Sequence, residues 1–226
     1  MDVGDGHNPY AGLTFDGAGN LYGTTAFGGT GGGGTVFQLI PQLGGGWYER
    51  VLYAFQNNTQ DGNSPYAGLV IDAAGNLYGT TQGGGSGGSC QGNGCGTVYE
   101  LSPKAGGSWV ETVLHSFQEN GTDGNEPFAG LTFDTTGNLY GTTTLGGANL
   151  VGIVFGLSPR SSGNWHERVL HTFQRGMTDG FEPYAGVILD SSGNLYGTTM
   201  FGGDSKNLER GGPVAITPGT VFEVTP

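Results

Sequence analysis

The chain has 226 residues, of which 49 are glycine, and its formal net charge is −12 at pH 7, from 7 basic and 19 acidic residues. Because such a surface repels phosphate groups, the composition argues against a nucleic-acid partner and against an anionic membrane surface. No apolar run approaches the length of about 18 residues that a membrane-spanning helix needs, so we expect no membrane insertion.

One eight-residue segment occurs four times along the chain. It begins at Pro9 as Pro-Tyr-Ala-Gly-Leu-Thr-Phe-Asp and returns in similar form at Pro65, Pro127 and Pro183. Successive copies therefore lie 56, 62 and 56 residues apart. We predict a single domain over residues 1–226, built from repeats of approximately 5–60, 61–122, 123–178 and 179–226.

The first repeat contains four segments that are typical of β-strands. They are strand A (Ala11–Asp16), strand B (Asn20–Thr25), strand C (Gly34–Leu39) and strand D (Trp47–Phe55). Each is rich in aromatic and β-branched residues and is bounded by Gly, Asn, Asp or Pro. Simple alternation along strand D would place Val51 and Phe55 on one face and Leu52 on the other. Both faces would then be apolar, as in a sheet packed between two neighbouring sheets.

Four strands per repeat and a period above 40 residues favour a β-propeller, with a β-sandwich or a β-solenoid as the alternatives. We predict an all-β chain of four blades, each of about four antiparallel strands. The fourth repeat ends in the strand C segment that begins at Gly219, so we expect the last blade to lack its outer strand. An unpaired strand edge invites pairing, which makes a homodimer through this incomplete blade a further expectation.

The loops of an A-B-C-D meander separate into two groups, because the B–C and D–A loops emerge on one side and the A–B and C–D turns on the other. The B–C loops differ most between repeats, and variable loops on a repeated scaffold are the usual place for a site. Each D–A loop contains an Asp-Gly pair, at Asp5, Asp61, Asp123 and Asp179. These four carboxylates could bind a cation such as calcium, or ligand hydroxyl groups; an ordinary Asp-Gly turn is the alternative.

Residues that break the repeat are the better functional candidates, because residues present in every copy usually serve packing. They are His7, Phe27, Glu126, Glu182, Phe201, Asp204 and Glu209. We select Tyr10, Phe27 and Phe201, together with Asp61, Asp123 and Asp179, as ligand-binding candidates. Glu126 and Glu182 are weaker catalytic candidates, as an acid/base pair acting on a glycoside; solvated surface carboxylates are the alternative.

Other repeated polar residues receive structural interpretations. The histidines His115 and His171 occupy the position of Tyr53 and are interpreted as partly buried packing residues. The acids Glu49, Glu111 and Glu167 are interpreted as structural or solvent-facing.

Two cysteines, Cys90 and Cys95, lie in the glycine-rich loop of the second repeat. We predict a local disulfide, which implies an oxidising compartment. A metal site is the alternative, although two thiols with no histidine near them in sequence cannot make a closed zinc site.

The string Gly-Leu-Thr-Phe-Asp-x-x-Gly-Asn-Leu-Tyr-Gly-Thr-Thr, followed by a glycine-rich loop and Gly-Thr-Val-Phe-x-Leu-x-Pro, resembles the GloVer-type tandem repeat of bacterial extracellular proteins. The third copy departs from it at Gly152-Ile153-Val154-Phe155. The resemblance implies a plan similar to NHL-like propellers and an exported, surface-anchored protein. It supplies no catalytic motif.

These observations favour a secreted or cell-surface module that binds a glycan or protein ligand through the side that carries the B–C and D–A loops. The alternative is a carbohydrate-active enzyme, a glycoside hydrolase or polysaccharide lyase, that uses loop carboxylates on that side. No Gly-x-Ser-x-Gly elbow or metal-ligand cluster is found in the sequence. The N-terminal residues also lack the basic and apolar regions of a signal peptide.

Overall fold

The computed structural model describes residues 4–58, 60–88, 90–176, 179–203 and 218–226. Apart from one 3₁₀ turn at Cys90–Gly92, every regular element in these ranges is a β-strand, which confirms the all-β prediction. None of the helical structure described there is long and apolar enough to cross a membrane.

Each repeat forms the strands of its own sheet. Repeat 1 contains β1 (Gly6–His7), β2 (Thr14–Phe15), β3 (Leu21–Thr25), β4 (Phe27–Gly28), β5 (Gly32–Pro41) and β6 (Trp47–Gln56). Repeat 2 contains β7 (Gly62–Asn63), β8 (Val70–Ile71), β9 (Leu77–Thr81), β10 (Gly83–Gly84), β11 (Thr97–Pro103) and β12 (Trp109–Ser116). Repeat 3 contains β13 (Gly124–Asn125), β14 (Thr132–Phe133), β15 (Leu139–Thr143), β16 (Leu145–Gly146), β17 (Ile153–Pro159) and β18 (Trp165–Thr172). Repeat 4 contains β19 (Ile188–Leu189), β20 (Leu195–Thr198) and β21 (Val221–Val224).

The strands pair in the order in which they follow one another in each repeat. Sheet 1 is β2-β3-β5-β6, sheet 2 is β8-β9-β11-β12 and sheet 3 is β14-β15-β17-β18, all antiparallel. Sheet 4 is β19-β20-β21, with three strands in the described part of repeat 4. Short antiparallel ladders join β1 to β4, β7 to β10 and β13 to β16, so the D–A and B–C loops of these repeats pair with each other.

The chain divides into two compact units. Unit 1 comprises Met1–Gln118 and Phe128–Leu131, and unit 2 comprises Glu119–Pro127 and Thr132–Pro226. The single domain over residues 1–226 stays a prediction.

The core of unit 1 lies between sheets 1 and 2. Sheet 1 contributes Tyr22, Val36, Leu52 and Phe55, and sheet 2 contributes Leu69, Leu77, Tyr99 and Leu101. The Phe55 ring is fully buried and lies edge-on to Tyr99, with ring centroids 5.0 Å apart. Complete burial of such a ring contributes about 2–3 kcal/mol.

The core of unit 2 repeats this arrangement between sheets 3 and 4. Sheet 3 and its B–C loop contribute Val151, Val154 and Phe173, and repeat 4 contributes Val187 and Leu195. The Phe173 and Phe222 rings meet edge-on at 5.0 Å, as Phe55 and Tyr99 do in unit 1.

Glycine in the middle of strand B allows these rings to cross the sheet. A Cβ atom added to Gly23 would lie 2.6 Å from the Phe37 ring, and one added to Gly79 would lie 2.5 Å from the Tyr99 hydroxyl. The Leu-Tyr-Gly-Thr-Thr motif therefore contains glycine because the ring from strand C occupies that space.

The predicted alternation along strand D is wrong beyond Val51, because a β-bulge interrupts it. Val36 pairs with Tyr53 while Phe37 pairs with Val51, which leaves Leu52 as the extra residue. Corresponding register shifts occur in sheets 2 and 3. The bulge brings Leu52 into the same core cluster as Phe55, although simple alternation separates them.

Each A–B turn is organised by its aspartate. In repeat 1, Asp16 accepts hydrogen bonds from the backbone N–H groups of Ala18 and Asn20, from the Asn20 side-chain amide and from the Tyr22 hydroxyl. The same contacts recur at Asp72, Asp134 and Asp190. These aspartates therefore connect the A–B turn to a tyrosine of strand B.

Candidate functional site

The residue before the repeated proline has a left-handed backbone in all four repeats. The φ angles are 64° at Asn8, 57° at Ser64, 55° at Glu126 and 56° at Glu182. In unit 1, the Ser64 N–H donates to the Gly33 carbonyl at 2.8 Å and its carbonyl accepts from the Gln82 N–H at 3.0 Å. These two bonds tie the D–A loop of repeat 2 to B–C segments of repeats 1 and 2, which offsets the cost of a left-handed non-glycine residue, about 1–2 kcal/mol.

Two residues after each of these positions, an aromatic ring leaves the backbone, and three such rings form a row in unit 1. The ring centroids of Tyr10 and Tyr66 are 5.4 Å apart, and those of Tyr66 and Phe128 are 5.2 Å apart. The Phe27 ring meets Tyr66 edge-on at 6.1 Å. We call Tyr10, Tyr66 and Phe128 the aromatic row; its end member Tyr10 is 64% exposed.

The structure thus brings the predicted candidates Tyr10 and Phe27 together around Tyr66, which sequence reasoning did not select. Burial, with a smaller contribution from Tyr10, raises the pKa of Tyr66. The phenol of Tyr66 is therefore neutral at physiological pH, and the row offers apolar faces with hydroxyl groups at the ring edges.

A small polar pocket lies in the same unit, on the side that carries the paired loops. Its volume is about 70 Å³ and its lining is almost entirely amide: Asn57, Asn58, Asn63, Gly92 and Asn93. The Asn63 and Asn93 side chains exchange hydrogen bonds at 3.4 Å, and the Asn93 carbonyl accepts from the Gly84 N–H at 2.6 Å.

The loop that carries Asn93 is closed by the predicted disulfide, which the structure confirms between Cys90 and Cys95. This loop belongs to the repeat with the longest spacing. The additional residues of repeat 2 therefore build one wall of the amide pocket.

The Asp-Gly carboxylates bind backbone and side-chain donors of their own surroundings. Asp61 is buried and accepts from the Gly62 N–H at 2.8 Å, the Gln56 N–H at 2.7 Å and the Tyr53 hydroxyl at 3.0 Å. In unit 2, Asp179 accepts from the Gly180 and Gln174 N–H groups and lies 3.3 Å from His171 Nε2.

The other two Asp-Gly residues make the same local turn bond: Asp5 accepts from the Gly6 N–H and Asp123 from the Gly124 N–H. These contacts favour a turn-forming role. Binding of calcium or of ligand hydroxyl groups by Asp5, Asp61, Asp123 and Asp179 stays a prediction.

Strand D places a glutamate next to the Asp-Gly carboxylate of its own repeat. In unit 1, burial and the charge of Asp61 raise the pKa of Glu111 to about 7. Burial and Asp5 likewise raise the pKa of Glu49. In unit 2, a carboxylate oxygen of Asp123 lies within 4.8 Å of one of Glu167.

The interpretation of these glutamates as merely structural or solvent-facing missed this pairing. Glu111 Oε1 is buried and accepts no hydrogen bond from the described residues. Because calcium takes six to eight oxygen ligands, one such pair with Tyr53 would hold it only with additional ligands.

The catalytic candidates Glu126 and Glu182 lie in unit 2 near one exposed phenol. Burial and the charges of Glu182 and Glu126 raise the pKa of Tyr184. Both carboxylates therefore lie within electrostatic range of the Tyr184 hydroxyl. The ligand candidate Phe201 stacks on Phe181 at 5.3 Å in the same unit.

Two further candidates, Asp204 and Glu209, lie outside the described residues. The histidines have packing contacts in their own strands. His115 meets Phe117 edge-on at 4.8 Å, and His171 meets Phe173 at 4.7 Å.

Comparison with known proteins bears on the family and the fold. A family model described as the Gloeobacter/Verrucomicrobia repeat matches residues 1–209. No curated protein matches the chain. An X-ray structure described provisionally as a gluconolactonase, which has a β-propeller fold, is similar with a TM-score of 0.51 and 16% sequence identity.

That similarity covers 83% of this chain and 56% of the other, so this chain spans little more than half the length of that relative. At this level of identity the likeness concerns the fold alone. The chain has an all-β, propeller-like fold.

Proposed function

The chain belongs to the Gloeobacter/Verrucomicrobia repeat family, and we propose that it is an extracellular propeller module that binds a neutral glycan. The four sheets are its four blades, and the three-stranded sheet 4 is the incomplete one. The Cys90–Cys95 disulfide supports an oxidising compartment. The net charge of −12 favours a neutral ligand over an anionic one.

The aromatic row is the observation that carries this proposal. Its steps of 5.2 and 5.4 Å are close to the length of one hexose unit in an extended β-linked chain, so successive rings can each cover the apolar face of one sugar. The amide pocket complements the row, because asparagine side chains both donate to and accept from hydroxyl groups. A protein ligand explains this combination less directly.

We expect Tyr10→Ala and Tyr66→Ala each to weaken binding of a neutral β-linked polysaccharide about tenfold. Removal of one stacked ring loses about 1–1.5 kcal/mol of contact, which corresponds to that factor. Affinity electrophoresis with β-glucan, xylan and galactomannan selects the ligand, and titration calorimetry with its oligosaccharides measures the affinity.

Tyr48→Ala is the matched control, because Tyr48 is an exposed tyrosine of unit 1 on β6, outside the row. Failure of the unmodified protein to bind any of the three polysaccharides contradicts the proposal. An equal loss of affinity in Tyr48→Ala contradicts the role of the row.

A carbohydrate-active enzyme is the second candidate function, supported by the location of Glu126 and Glu182 near Tyr184. A carboxyl group and a carboxylate on either side of a glycosidic bond can protonate the leaving oxygen and activate water. If this function operates, the protein releases reducing ends from a bound polysaccharide, and Glu126→Gln or Glu182→Gln abolishes the release while binding persists. Glu119→Gln, at an exposed site of unit 2, is the control. Binding without release by the unmodified protein rejects the enzyme.

A further inference from the structure

The cores of the two units use the same pair of surfaces. One surface, which we call the forward face, packs against the next repeat; in sheet 1 it contains Val36 and Phe55, and in sheet 3 Val154 and Phe173. The other, the backward face, packs against the preceding repeat. Its members in sheet 2 are Leu69, Leu77, Tyr99 and Leu101, and its members in repeat 4 are Val187, Leu195, Phe222 and Val224.

The backward face of sheet 1 is exposed. Leu13 is 47% exposed and Phe15 is 64% exposed, whereas Leu69, the equivalent of Leu13 in repeat 2, is 4% exposed. Leu13 and Phe15 therefore present to solvent the surface that repeats 2 and 4 bury.

The forward face of sheet 4 is exposed in the same way. Val221 is 74% exposed, whereas its equivalents Val36, Val98 and Val154 are 0% exposed. Its neighbour on this face, Ile188, is 69% exposed. The last strand of sheet 4, β21, pairs only with β20 among the described strands, so one of its edges has no strand partner there.

We propose that the forward face of sheet 4 in one copy of the chain packs against the backward face of sheet 1 in a second copy. The occupant follows from the molecule itself, because each unit core is a forward face packed on a backward face. Every copy carries the free member of each kind, so a second copy supplies the complementary surface. Contiguous exposed apolar side chains of this kind mark an interaction surface.

The proposed contact is heterologous, since the two copies contribute different surfaces. Such contacts form a closed ring when the rotation between copies permits it and an open chain of copies otherwise. Either outcome gives association that depends on protein concentration.

Sedimentation velocity over a concentration series tests the contact. The unmodified protein is expected to associate, and Val221→Asp or Leu13→Asp is expected to raise the dissociation constant at least tenfold. Val110→Asp is the control, because Val110 is an exposed valine of β12 outside both faces. Unchanged melting temperatures show that the variants fold, and Ile188→Asp with Phe15→Asp replaces the pair if one does not.

Mixing the two variants gives the decisive result. The Val221→Asp protein retains its backward face and the Leu13→Asp protein retains its forward face, so an equimolar mixture is expected to form a heterodimer through one intact contact. A symmetric contact that uses one face twice would not be restored in this way. The proposal is overturned if the unmodified protein is monomeric at every concentration, or if the mixture associates no more than each variant alone.

Discussion

Replacement of Asp134 by alanine is expected to lower the free energy of unfolding by about 2–3 kcal/mol at pH 7. The carboxylate accepts hydrogen bonds from the backbone N–H groups of Thr136 and Asn138, from both of their side chains and from the Tyr140 hydroxyl, at 2.7–3.2 Å. Hydrogen bonds to a charged acceptor contribute about 1.5–3 kcal/mol each when well shielded, and partial exposure of this turn reduces the sum.

The effect of Asp134→Ala should depend on pH in a definite direction. Burial acts to raise the pKa of Asp134, but the hydrogen bonds from Asn138 and Thr136 outweigh it and lower the pKa to about 2, from an ordinary value of 3.8. A carboxyl group whose pKa is lowered by folding stabilises the folded state above its ordinary pKa. That contribution is lost as the pH falls from about 4 through 2, so the difference between the two proteins should shrink over this range.

Urea unfolding at pH 7 and at pH 2.5 measures both quantities. Asp190→Ala is the matched control, since Asp190 makes corresponding turn bonds but in a more exposed setting, and a smaller loss of stability is expected there. An equal difference at both pH values would show that the carboxylate charge does not organise the turn.

The organisation into repeats follows from the sequence because a glycine, an aromatic residue and an aspartate return at almost constant spacing. The bulge at Leu52 could not be predicted in this way. Strict alternation is the expectation for an isolated strand, whereas the bulge is defined by pairing across β5 and by the need to bury both Leu52 and Phe55. No residue type in the strand marks that position.

The candidate site was predictable only in part. Tyr10 and Phe27 were selected as individual residues, but Tyr66 was assigned to packing because its position is aromatic in every repeat. Its importance arises from the spacing between neighbouring repeats, which places three such rings side by side. The pairing of Asp61 with Glu111 was also missed, because the two residues are distant in sequence and meet only when strand D packs beside the D–A loop.

Glu111→Gln is expected to raise the free energy of unfolding by about 2 kcal/mol at pH 8.5 and to change it little at pH 4. Burial and the charge of Asp61 raise the pKa of Glu111 from 4.5 to about 7. A shift of that size corresponds to about 3 kcal/mol, which solvent screening at a partly exposed group reduces. Glutamine keeps the shape of the side chain and removes the charge that the site disfavours.

The sign of this effect follows from proton binding. Because folding raises the pKa of Glu111, the folded protein binds its proton more tightly than the unfolded chain between pH 4.5 and about 7. Stability is therefore greatest below that interval and falls as the pH rises through it, a fall that Glu111→Gln should abolish in urea-unfolding curves collected from pH 4 to 8.5. Glu119→Gln, at an exposed site, should retain it. If Glu111→Gln instead lowers stability at pH 8.5, a cation or a hydrogen-bond donor stabilises the ionised carboxylate, and the calcium prediction for Asp61 gains support over the burial argument.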